Sequence, residues 1–590
     1  MSTARQQEDN RQVHPDLQRR QVIKVGAQGL GLSSLLSGCN GFGQVLVSDG
    51  QAASQSPVSG SPDNKVMEAK GAGLARNEPE TLSARSATGA KNSDKRPAES
   101  EANRASSLQP LSIAPLPEIH REFRAAWVAS VANIDWPSKP ALSAPALRSE
   151  IERICTQAKT MGLNALIVQV RPSGDALFAS ELEPTSEYLV GHQGASLPEG
   201  FDPLGYWIQT CKQNGLEFHA WFNPYRARHA SAKSGFHAKH LARQQPRLVL
   251  KYGDQWWMNP AEPKALQWSL NVIEDVVRRY DLDAVHLDDY FYPYPIKAQG
   301  NSSALEFPDE SLFKTYRRRG GKLSRADWRR SHVDNMVRSL YERVHKQKPW
   351  VRVGISPFGI GKPVLRPAGI QGFSQYDQLY ADVERWCGEG WLDYLAPQLY
   401  WKLDQTAQAF EVLLRYWSER LIAKRHLWPG LYTSSIAQPG RMWPASEIID
   451  QIREQRRLAR AGGHIHFSMI ALLENRQNIA VRLSSESYQR PSLVPPSSWL
   501  SRAGPDRPQL IEPDQHGNLG FESPLGSRPW GTTPVRWVLH QRSDEHAQWS
   551  MSHGDVNLHP ITLSANRQYV LRLLNRVGEA SEGIAFSWKG

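Results

Sequence analysis

Eight short apolar runs, separated by helical stretches, constrain the fold of this 590-residue chain more than any other feature. The runs lie at 124–131, 165–170, 217–222, 284–288, 351–356, 394–400, 427–432 and 464–469. Amphipathic helical patterns lie between them at 151–161, 203–214, 263–280, 334–345 and 447–461. Strands that alternate with helices pair in parallel, so eight units predict an α/β fold, a closed (β/α)8 TIM barrel at residues 118–487. An open doubly wound sheet is the alternative, although eight units exceed its usual size.

A different pattern begins near residue 508. Apolar and polar residues alternate, with turns between them, at 534–540, 559–563, 568–575 and 584–588. Alternation of this kind is typical of strands with one buried face. We therefore expect residues 508–590 to form a small all-β, sandwich-like domain of the fibronectin type III kind. The alternative is a C-terminal cap packed on the barrel.

The amino terminus resembles a bacterial export signal. Arg19 and Arg20 precede a short apolar stretch at 25–36, and Leu36-Ser37-Gly38-Cys39 then resembles the lipobox of lipoproteins. This order predicts a signal at residues 1–39, by the twin-arginine or the general route, with Cys39 lipidated and anchored in a membrane. Asn40 is not the aspartate that resembles an inner-membrane retention signal, so the periplasmic face of the outer membrane is favoured.

Residues 40–117 are rich in Ser, Ala, Gly, Asn and charge, with almost no aromatics, which predicts a disordered, flexible tether. The formal net charge of +11 makes an anionic partner plausible. No basic tract interleaved with aromatics stands out, so nucleic acid is not expected as a partner.

The remaining cysteines, Cys155, Cys211 and Cys387, are far apart in sequence and predict no disulfide framework. Cys155 and Cys211 fall in predicted helices, where we expect small buried apolar residues. No ligand spacing such as His-Glu-x-x-His occurs, so neither a metal nor a cofactor is predicted.

Five successive runs end in polar and aromatic residues. The active site of a (β/α)8 barrel forms at the carboxyl ends of its strands, so these side chains are candidates for the site. They are Arg171 and Asp175 at the second run, Trp221, Asn223, Tyr225 and Arg226 at the third, His286, Asp288, Asp289 and Tyr290 at the fourth, Phe358 at the fifth, and Gln398, Tyr400 and Trp401 at the sixth.

Asp288 and Asp289 form the leading candidate for acid–base chemistry. Strand alternation places Asp288 on the face opposite Leu287, so Asp288 is the better inward candidate. Two adjacent carboxylates raise one pKa by repulsion, which suits a general acid near neutral pH. The alternative is that the pair caps a helix. His286 could orient a carboxylate or fill the interior, and Asp175 is either a pocket acid or a turn residue.

Five motifs resemble the family 10 glycosyl-hydrolase-like proteins. They lie at 121–128, 169–176, 220–226, 286–293 and 394–401, and the resemblance spans roughly 118–485. It implies an exported (β/α)8 enzyme related to the division-associated peptidoglycan glycosidase lipoproteins of bacteria, which act on glycan strands stripped of stem peptides. Cell-division proteins would then be possible partners. Asp288, Asp289 and Asp175 match motif positions, and the resemblance assigns them no individual roles.

We therefore expect a glycosidase that cleaves peptidoglycan glycan with Asp288 and Asp289, and with Trp221, Tyr225, Tyr290, Tyr400 and Trp401 as stacking or pocket residues. Arg171 and Arg226 could clamp the lactyl carboxylate exposed when a stem peptide is removed, or each could pair with a nearby acid. The rival functions are a glycan-binding module without turnover and hydrolysis of another exopolysaccharide.

Overall fold

The computed structural model of the protein describes residues 107–297, 304–458, 462–522 and 529–590. The predicted export signal with Cys39, and the predicted tether up to residue 106, lie outside these ranges. Among the helices that are described, none is both long enough and apolar enough to cross a membrane.

The strands, in chain order, are β1 (Leu108–Pro110), β2 (Phe123–Val128), β3 (Ala165–Arg171), β4 (Glu217–Phe222), β5 (Arg226–Arg228), β6 (Val249–Tyr252), β7 (Gln255–Met258), β8 (Ala284–Leu287), β9 (Arg352–Ile355), β10 (Tyr394–Leu395), β11 (His426–Leu427), β12 (Gly430–Leu431), β13 (Gly463–His466), β14 (Gln509–Ile511), β15 (Asn518–Glu522), β16 (Arg536–Arg542), β17 (Ser550–Asp555), β18 (Ile561–Thr562), β19 (Arg567–Leu574) and β20 (Ile584–Trp588). The α-helices are α1 (Ala144–Met161), α2 (Glu187–Val190), α3 (Pro203–Gln213), α4 (Leu241–Gln244), α5 (Pro263–Arg279), α6 (Glu310–Arg318), α7 (Arg325–Gln347), α8 (Gln375–Gln378), α9 (Val383–Glu389), α10 (Phe410–Arg420), α11 (Ala445–Arg457), α12 (Met469–Leu473) and α13 (Ile479–Arg482).

The main sheet is parallel and closes on itself, which confirms the predicted (β/α)8 barrel. Its order is β11-β10-β9-β8-β4-β3-β2-β13-β12. β11 pairs with β10 and β12 pairs with β13, and only Trp428 and Pro429 separate β11 from β12. The two ends of the sheet are thus one interrupted strand that completes the ring. Pro429 lacks an N–H group and cannot donate to a ladder, which accounts for the interruption.

The eight strand positions all fall on the eight predicted runs, and the five predicted helices correspond to α1, α3, α5, α7 and α11. The helices cover the barrel through apolar stripes, as in α5, where Leu270, Ile273 and Val277 are buried. Because the strands run in parallel, the segments after β3, β4, β8, β9 and β10 emerge at one end of the barrel.

Two antiparallel sheets form the C-terminal domain, in the sandwich-like arrangement that the alternation predicts. Their orders are β1-β20-β19-β16-β17 and β14-β15-β18. One apolar core joins them, with Leu519 and Ile561 from the smaller sheet and Trp537, Leu571 and Phe586 from the larger.

The predicted tether at residues 40–117 is wrong at its C-terminal end. Leu108–Pro110 pairs with β20, with Leu108 opposite Trp588. Leu108 is buried in the core of the C-terminal domain. A three-residue segment is thus ordered by apolar surface that lies more than 400 residues away in sequence.

The C-terminal domain also contacts the amino-terminal ends of the barrel strands. Arg576 forms an ion pair with Asp281, just before β8. His559 Nε2 lies 3.0 Å from the carbonyl oxygen of Gln213, just before β4. Trp499 Nε1, in the segment that leads to the domain, donates to Asp393 before β10 at 2.7 Å. The domain therefore covers the end opposite the candidate site, so the cap interpretation also holds.

Candidate active site

Asp288 and Asp289 follow β8 directly and lie at the carboxyl end of the barrel, with relative exposures of 5% and 3%. No helix begins between residues 288 and 297, and the next helix within the described ranges is α6, whose N-cap is Asp309. The helix-cap interpretation of the pair is therefore wrong. Both carboxyl groups are held in the barrel mouth, where burial makes the charged form of each more costly.

The two oxygens of the Asp288 carboxyl group have different surroundings. Oδ2 accepts hydrogen bonds from Trp221 Nε1 at 3.1 Å and from Asn223 Nδ2 at 2.5 Å. Oδ1 is buried and has no hydrogen-bond partner within the described ranges. Burial raises the pKa of Asp288 to about 7, with Asp289 adding to the rise and the Arg226 cation opposing it. A carboxyl group with this pKa and a free oxygen can hold and donate a proton near neutral pH.

Asp289 is held by different donors. The Tyr294 hydroxyl donates to its Oδ2, and the Gln398 side chain also hydrogen-bonds to it. Burial raises the pKa of Asp289 to about 6, while Tyr294, Gln398 and Arg226 oppose the rise. Because these groups favour the anion, Asp289 is suited to act as a carboxylate while Asp288 holds the proton. Gln398 thus lies where the sequence placed it, at the site.

Arg226 provides the positive charge beside the pair. Its guanidinium lies 4.7 Å from the centre of the Tyr290 ring, and its Nη2 donates to Asn223 Oδ1 at 3.0 Å. Asn223 Oδ1 also accepts from Gln169 Nε2 at 2.5 Å. Both bonds orient the Asn223 amide, so that its Nδ2 is left to donate to Asp288.

The structure contradicts the predicted substrate-binding role of Arg171. Its side chain is fully enclosed and forms a two-pronged ion pair with Glu183, at 2.8 Å and 2.5 Å. Its Nη1 donates to the carbonyl oxygen of Asn223 at 2.6 Å. The alternative interpretation, pairing with a nearby acid, is the one observed. Arg171 braces the backbone that carries Asn223 and has no donor left for a substrate.

Asp175 is buried, and its hydrogen-bond partners are groups other than the carboxylate pair. It accepts hydrogen bonds from the Ser173 backbone N–H at 3.2 Å and from Gln193 Nε2 at 3.1 Å. Burial raises the pKa of Asp175 to about 7, and the nearby Glu183 and Glu187 add to the rise. None of these groups hydrogen-bonds to Asp288 or Asp289. The geometry supports the turn-residue interpretation, in which Asp175 organises the loop after β3.

His286 belongs to the barrel interior. Trp127 Nε1 donates to His286 Nε2 at 3.1 Å, so the proton of the neutral ring lies on Nδ1, which is 2.9 Å from the Tyr394 hydroxyl. Burial holds the pKa of His286 well below its usual value, so the ring is neutral. The hydroxyl of Tyr394 is also 2.9 Å from His219 Nδ1. His286 contacts neither aspartate by hydrogen bond and fills the layer beneath them.

The predicted stacking residues differ in what they present to a ligand. Trp221 and Tyr225 are buried, and the indole of Trp221 acts through its N–H on Asp288. Tyr400 packs on Tyr432 with ring centres 4.8 Å apart, and Trp401 meets Phe358 edge-on at 5.6 Å. Tyr400 and Trp401 thus pack against other aromatic rings at the carboxyl end of the barrel. Tyr290 alone of the five predicted residues is half-buried, which leaves part of its surface accessible.

Sequence reasoning missed Tyr294 and Phe373 as members of the site. Their rings stack with centres 5.1 Å apart and an interplanar angle of 27°. Both are half-buried, and Phe373 also contacts Phe358 at 4.9 Å. Tyr294 could have been found from the aromatic-rich segment after Asp289. Phe373 lies in a loop between β9 and α8, where no periodic pattern marks it.

Across the residues that the structure describes, no group of three or more His, Cys, Asp or Glu side chains is arranged to hold a metal ion.

Comparison with known proteins identifies relatives of the region that carries this site. The family model described as Glycosyl hydrolase-like 10 matches residues 122–445. The protein named glycosyl hydrolase YngK from Bacillus subtilis (strain 168) is 40% identical over 413 residues, covering 68% of this chain and 78% of that protein. Glycosyl hydrolase DigH from Escherichia coli (strain K12) is 31% identical over 344 residues, covering 55% of this chain and 75% of that protein.

Among solved structures, the PgaB (BpsB) glycoside hydrolase domain from Bordetella bronchiseptica aligns with a TM-score of 0.42 at 12% identity, covering 62% of this chain and 98% of that one. That likeness is too distant to inform the function.

Proposed function

This chain belongs to the glycosyl hydrolase-like 10 family and is a glycosidase, and from that premise we propose that it cleaves the glycan strands of peptidoglycan, in particular strands without stem peptides. One observation carries the catalytic part of the proposal. Asp288 and Asp289 are buried together at the carboxyl end of the barrel, and Asp288 retains one carboxyl oxygen without a partner in the described ranges.

In the proposed reaction, protonated Asp288 donates its proton from Oδ1 to the oxygen of the scissile glycosidic bond. The ionised carboxylate of Asp289 stabilises the positive charge that develops on the sugar ring as this bond breaks. A water molecule then adds to the anomeric carbon and gives up a proton, which completes the hydrolysis. Trp221 and Asn223 hold Oδ2 of Asp288, so the free oxygen keeps a defined direction. Tyr294 and Gln398 hold Asp289 in the same way.

The proposed substrate is a polyanion, and Arg226 is the residue of the site that supports that choice. Removal of the stem peptide leaves a lactyl carboxylate on each muramic residue. Arg226 is the cation beside both aspartates, and its guanidinium remains a candidate for that carboxylate now that Arg171 is excluded. Tyr290, Tyr294 and Phe373 are half-buried at the same place, where sugar faces could stack on their rings.

The proposed location follows from the amino-terminal sequence. A chain lipidated at Cys39 would act from the periplasmic face of the outer membrane, where peptidoglycan lies within reach and where cell-division proteins are possible partners. Metabolic labelling with a fatty-acid analogue, in the natural chain and in Cys39→Ser, tests the anchor. Label that persists in Cys39→Ser would contradict it.

The activity is tested with purified chain on intact sacculi and on sacculi stripped by an amidase, followed by separation of soluble products. We expect glycan fragments from the stripped sacculi and few from the intact ones. Binding to sacculi without release of fragments would favour a non-catalytic glycan-binding protein. Cleavage of an uncharged or uronate-containing exopolysaccharide, with none of stripped sacculi, would favour the exopolysaccharide hydrolase.

A further inference from the structure

Two cysteines that are distant in sequence meet between neighbouring outer helices of the barrel. Cys155 lies on α1 and Cys211 on α3, 56 residues apart, and their sulfur atoms are 3.7 Å from each other. Both side chains are fully buried. The sequence predicted each as a small apolar residue, and the packing of α1 against α3 makes them a pair.

Each cysteine belongs to the buried stripe of its helix. Cys155 follows Ile151 and Ile154 on the inward face of α1, and Cys211 follows Trp207 and Ile208 on that of α3. Both stripes face the barrel, so the helices bring the two sulfurs to the seam between them. A disulfide has its sulfurs about 2.05 Å apart, so rotation of the two side chains has to close less than 2 Å.

We propose that Cys155 and Cys211 form a structural disulfide when this chain folds under oxidising conditions. Each thiol loses one proton, and the pair gives two electrons to a disulfide oxidant, which is reduced to two thiols. The sulfur–sulfur bond then joins α1 to α3, the helices that lead into β3 and β4. Those strands carry Gln169 and Trp221 and lead directly to Asn223, so the bond braces the scaffold behind the donors to Asp288.

The bond forms during folding rather than after it. In the folded chain both sulfurs are closed off from solvent, so a dissolved oxidant cannot reach them. Burial and the neighbouring Cys155 also hold the pKa of Cys211 well above its usual value, which disfavours the reactive thiolate. Thiol–disulfide exchange requires a thiolate and access, and both are present only before α1 and α3 pack.

The third described cysteine provides an internal control. Cys387 lies on α9 and is also fully buried, but neither of the other two described cysteines lies beside it. An oxidant that reacted with buried thiols without regard to geometry would affect all three. Pairing that follows the structure involves Cys155 and Cys211 and leaves Cys387 as a thiol.

The disulfide proposal does not depend on the glycosidase substrate. It connects with predicted export by the general route, after which the chain folds in the periplasm. Disulfides persist in the bacterial periplasm and are rare in a reducing cytoplasm. A chain that folds in the periplasm would gain the bond. Because the cross-link restricts the unfolded chain, it would raise the thermal stability of the folded protein.

The test uses the full chain, unfolded under reduction and refolded by dilution into a glutathione redox buffer or into dithiothreitol. Thiols are then alkylated in denaturant, and the digested chain is analysed by mass spectrometry. In the glutathione sample we expect a linked peptide pair carrying Cys155 and Cys211, with Cys39 and Cys387 alkylated. In the dithiothreitol sample we expect no linked pair. We also expect a Tm several degrees above that of the reduced chain.

Cys387→Ala should retain the linked pair and the rise in Tm, whereas Cys155→Ala and Cys211→Ala should lose both. Alkylation of all four cysteines after oxidative folding would overturn the proposal, as would a bond from either helix to Cys39 or Cys387. If dilution yields aggregates, the same alkylation pattern is measured on chain synthesised in cells with an oxidising cytoplasm.

Discussion

Asn223 donates its amide N–H to Oδ2 of Asp288 at 2.5 Å, while its own Oδ1 accepts from Gln169 and Arg226. Three successive strands of the barrel therefore meet in one hydrogen-bond network, since Gln169 lies on β3, Asn223 follows β4 and Asp288 follows β8. The network leaves Asp288 Oδ1 without a hydrogen-bond partner among the residues that the structure describes. The orientation of the proposed acid is thus set by residues on other strands.

Asn223→Ala should lower kcat by about 10- to 100-fold, because Asp288 becomes a carboxylate as it gives up its proton and a hydrogen bond to a charged group contributes roughly 1.5–3 kcal/mol. Loss of a donor to the carboxylate also raises the pKa of Asp288, so the alkaline limb of the pH–rate profile should move to higher pH. Steady-state kinetics across pH measure both effects. The matched control is Asn335→Ala, on the outer face of α7, which should leave kinetics unchanged. If the alkaline limb of the Asn223→Ala profile did not shift, Asn223 would not stabilise the carboxylate of Asp288.

Asp288→Asn and Asp289→Asn should each lower kcat by about a hundred- to ten-thousand-fold, the usual range for loss of a general acid or base. Both amides have nearly the shape of the carboxyl group they replace, and both aspartates are raised in pKa by burial, so the fold should persist. Circular dichroism and thermal unfolding check this. If both variants released glycan fragments at the natural rate, neither Asp288 nor Asp289 would be a catalytic residue.

The natural enzyme should have a bell-shaped pH dependence of kcat/KM, because the pKa of Asp289 is raised to about 6 and that of Asp288 to about 7. The two apparent pKa values that set the limbs of this profile belong to Asp288 and Asp289 as a pair, because the two carboxyl groups titrate together. Tyr294→Phe removes a donor to the Asp289 carboxylate, so the acidic limb should move to higher pH. Phe373→Ala keeps that hydrogen bond but removes the stacking partner of Tyr294, so it should raise KM and leave the limbs in place. Equal pH profiles for Tyr294→Phe and the natural enzyme would disprove this role of Tyr294.

Asp175→Asn should stabilise the protein at and above neutral pH and leave kcat unchanged. Burial raises the pKa of Asp175 from 3.8 to about 7, so the folded state binds a proton that the unfolded state releases. The stability associated with that proton is full below about pH 3.8 and is lost as the pH rises through 7. Above pH 7 the free energy of unfolding of Asp175→Asn should exceed that of the natural protein by at most about 4 kcal/mol. Denaturant unfolding between pH 4 and pH 8 measures it. A large fall in kcat in Asp175→Asn would show that Asp175 takes part in catalysis.

Arg171→Met should lower the free energy of unfolding by about 3–5 kcal/mol, because it leaves the Glu183 carboxylate buried without its partner. Replacing both residues, as Arg171→Met with Glu183→Leu, should recover part of that loss, since an apolar pair of similar volume carries no buried charge. Urea unfolding of the two variants provides the comparison. If the double variant is no more stable than Arg171→Met, the ion pair does not account for the burial of Arg171.

The location of the site could be predicted because it depends on local patterns. Each barrel strand is a short apolar run, and the polar residues that end these runs necessarily emerge at one end of a parallel barrel. The role of each side chain could not be predicted in the same way. Arg171 ends β3 and Arg226 lies shortly after β4, yet Glu183 binds the first while Tyr290 and Asn223 surround the second. Nothing near either arginine in the sequence distinguishes these outcomes.

The amino-acid sequence by itself determined the eight strands, the parallel barrel, the all-β C-terminal domain and the carboxylate pair after β8. These features follow from hydrophobic periodicity, which acts between residues close together in the chain. Only the tertiary structure decided that Leu108 joins the C-terminal sheet, that Cys155 meets Cys211, and that Asp288 keeps a free oxygen. Such contacts join residues tens to hundreds of positions apart, and they depend on how helices and strands pack in three dimensions.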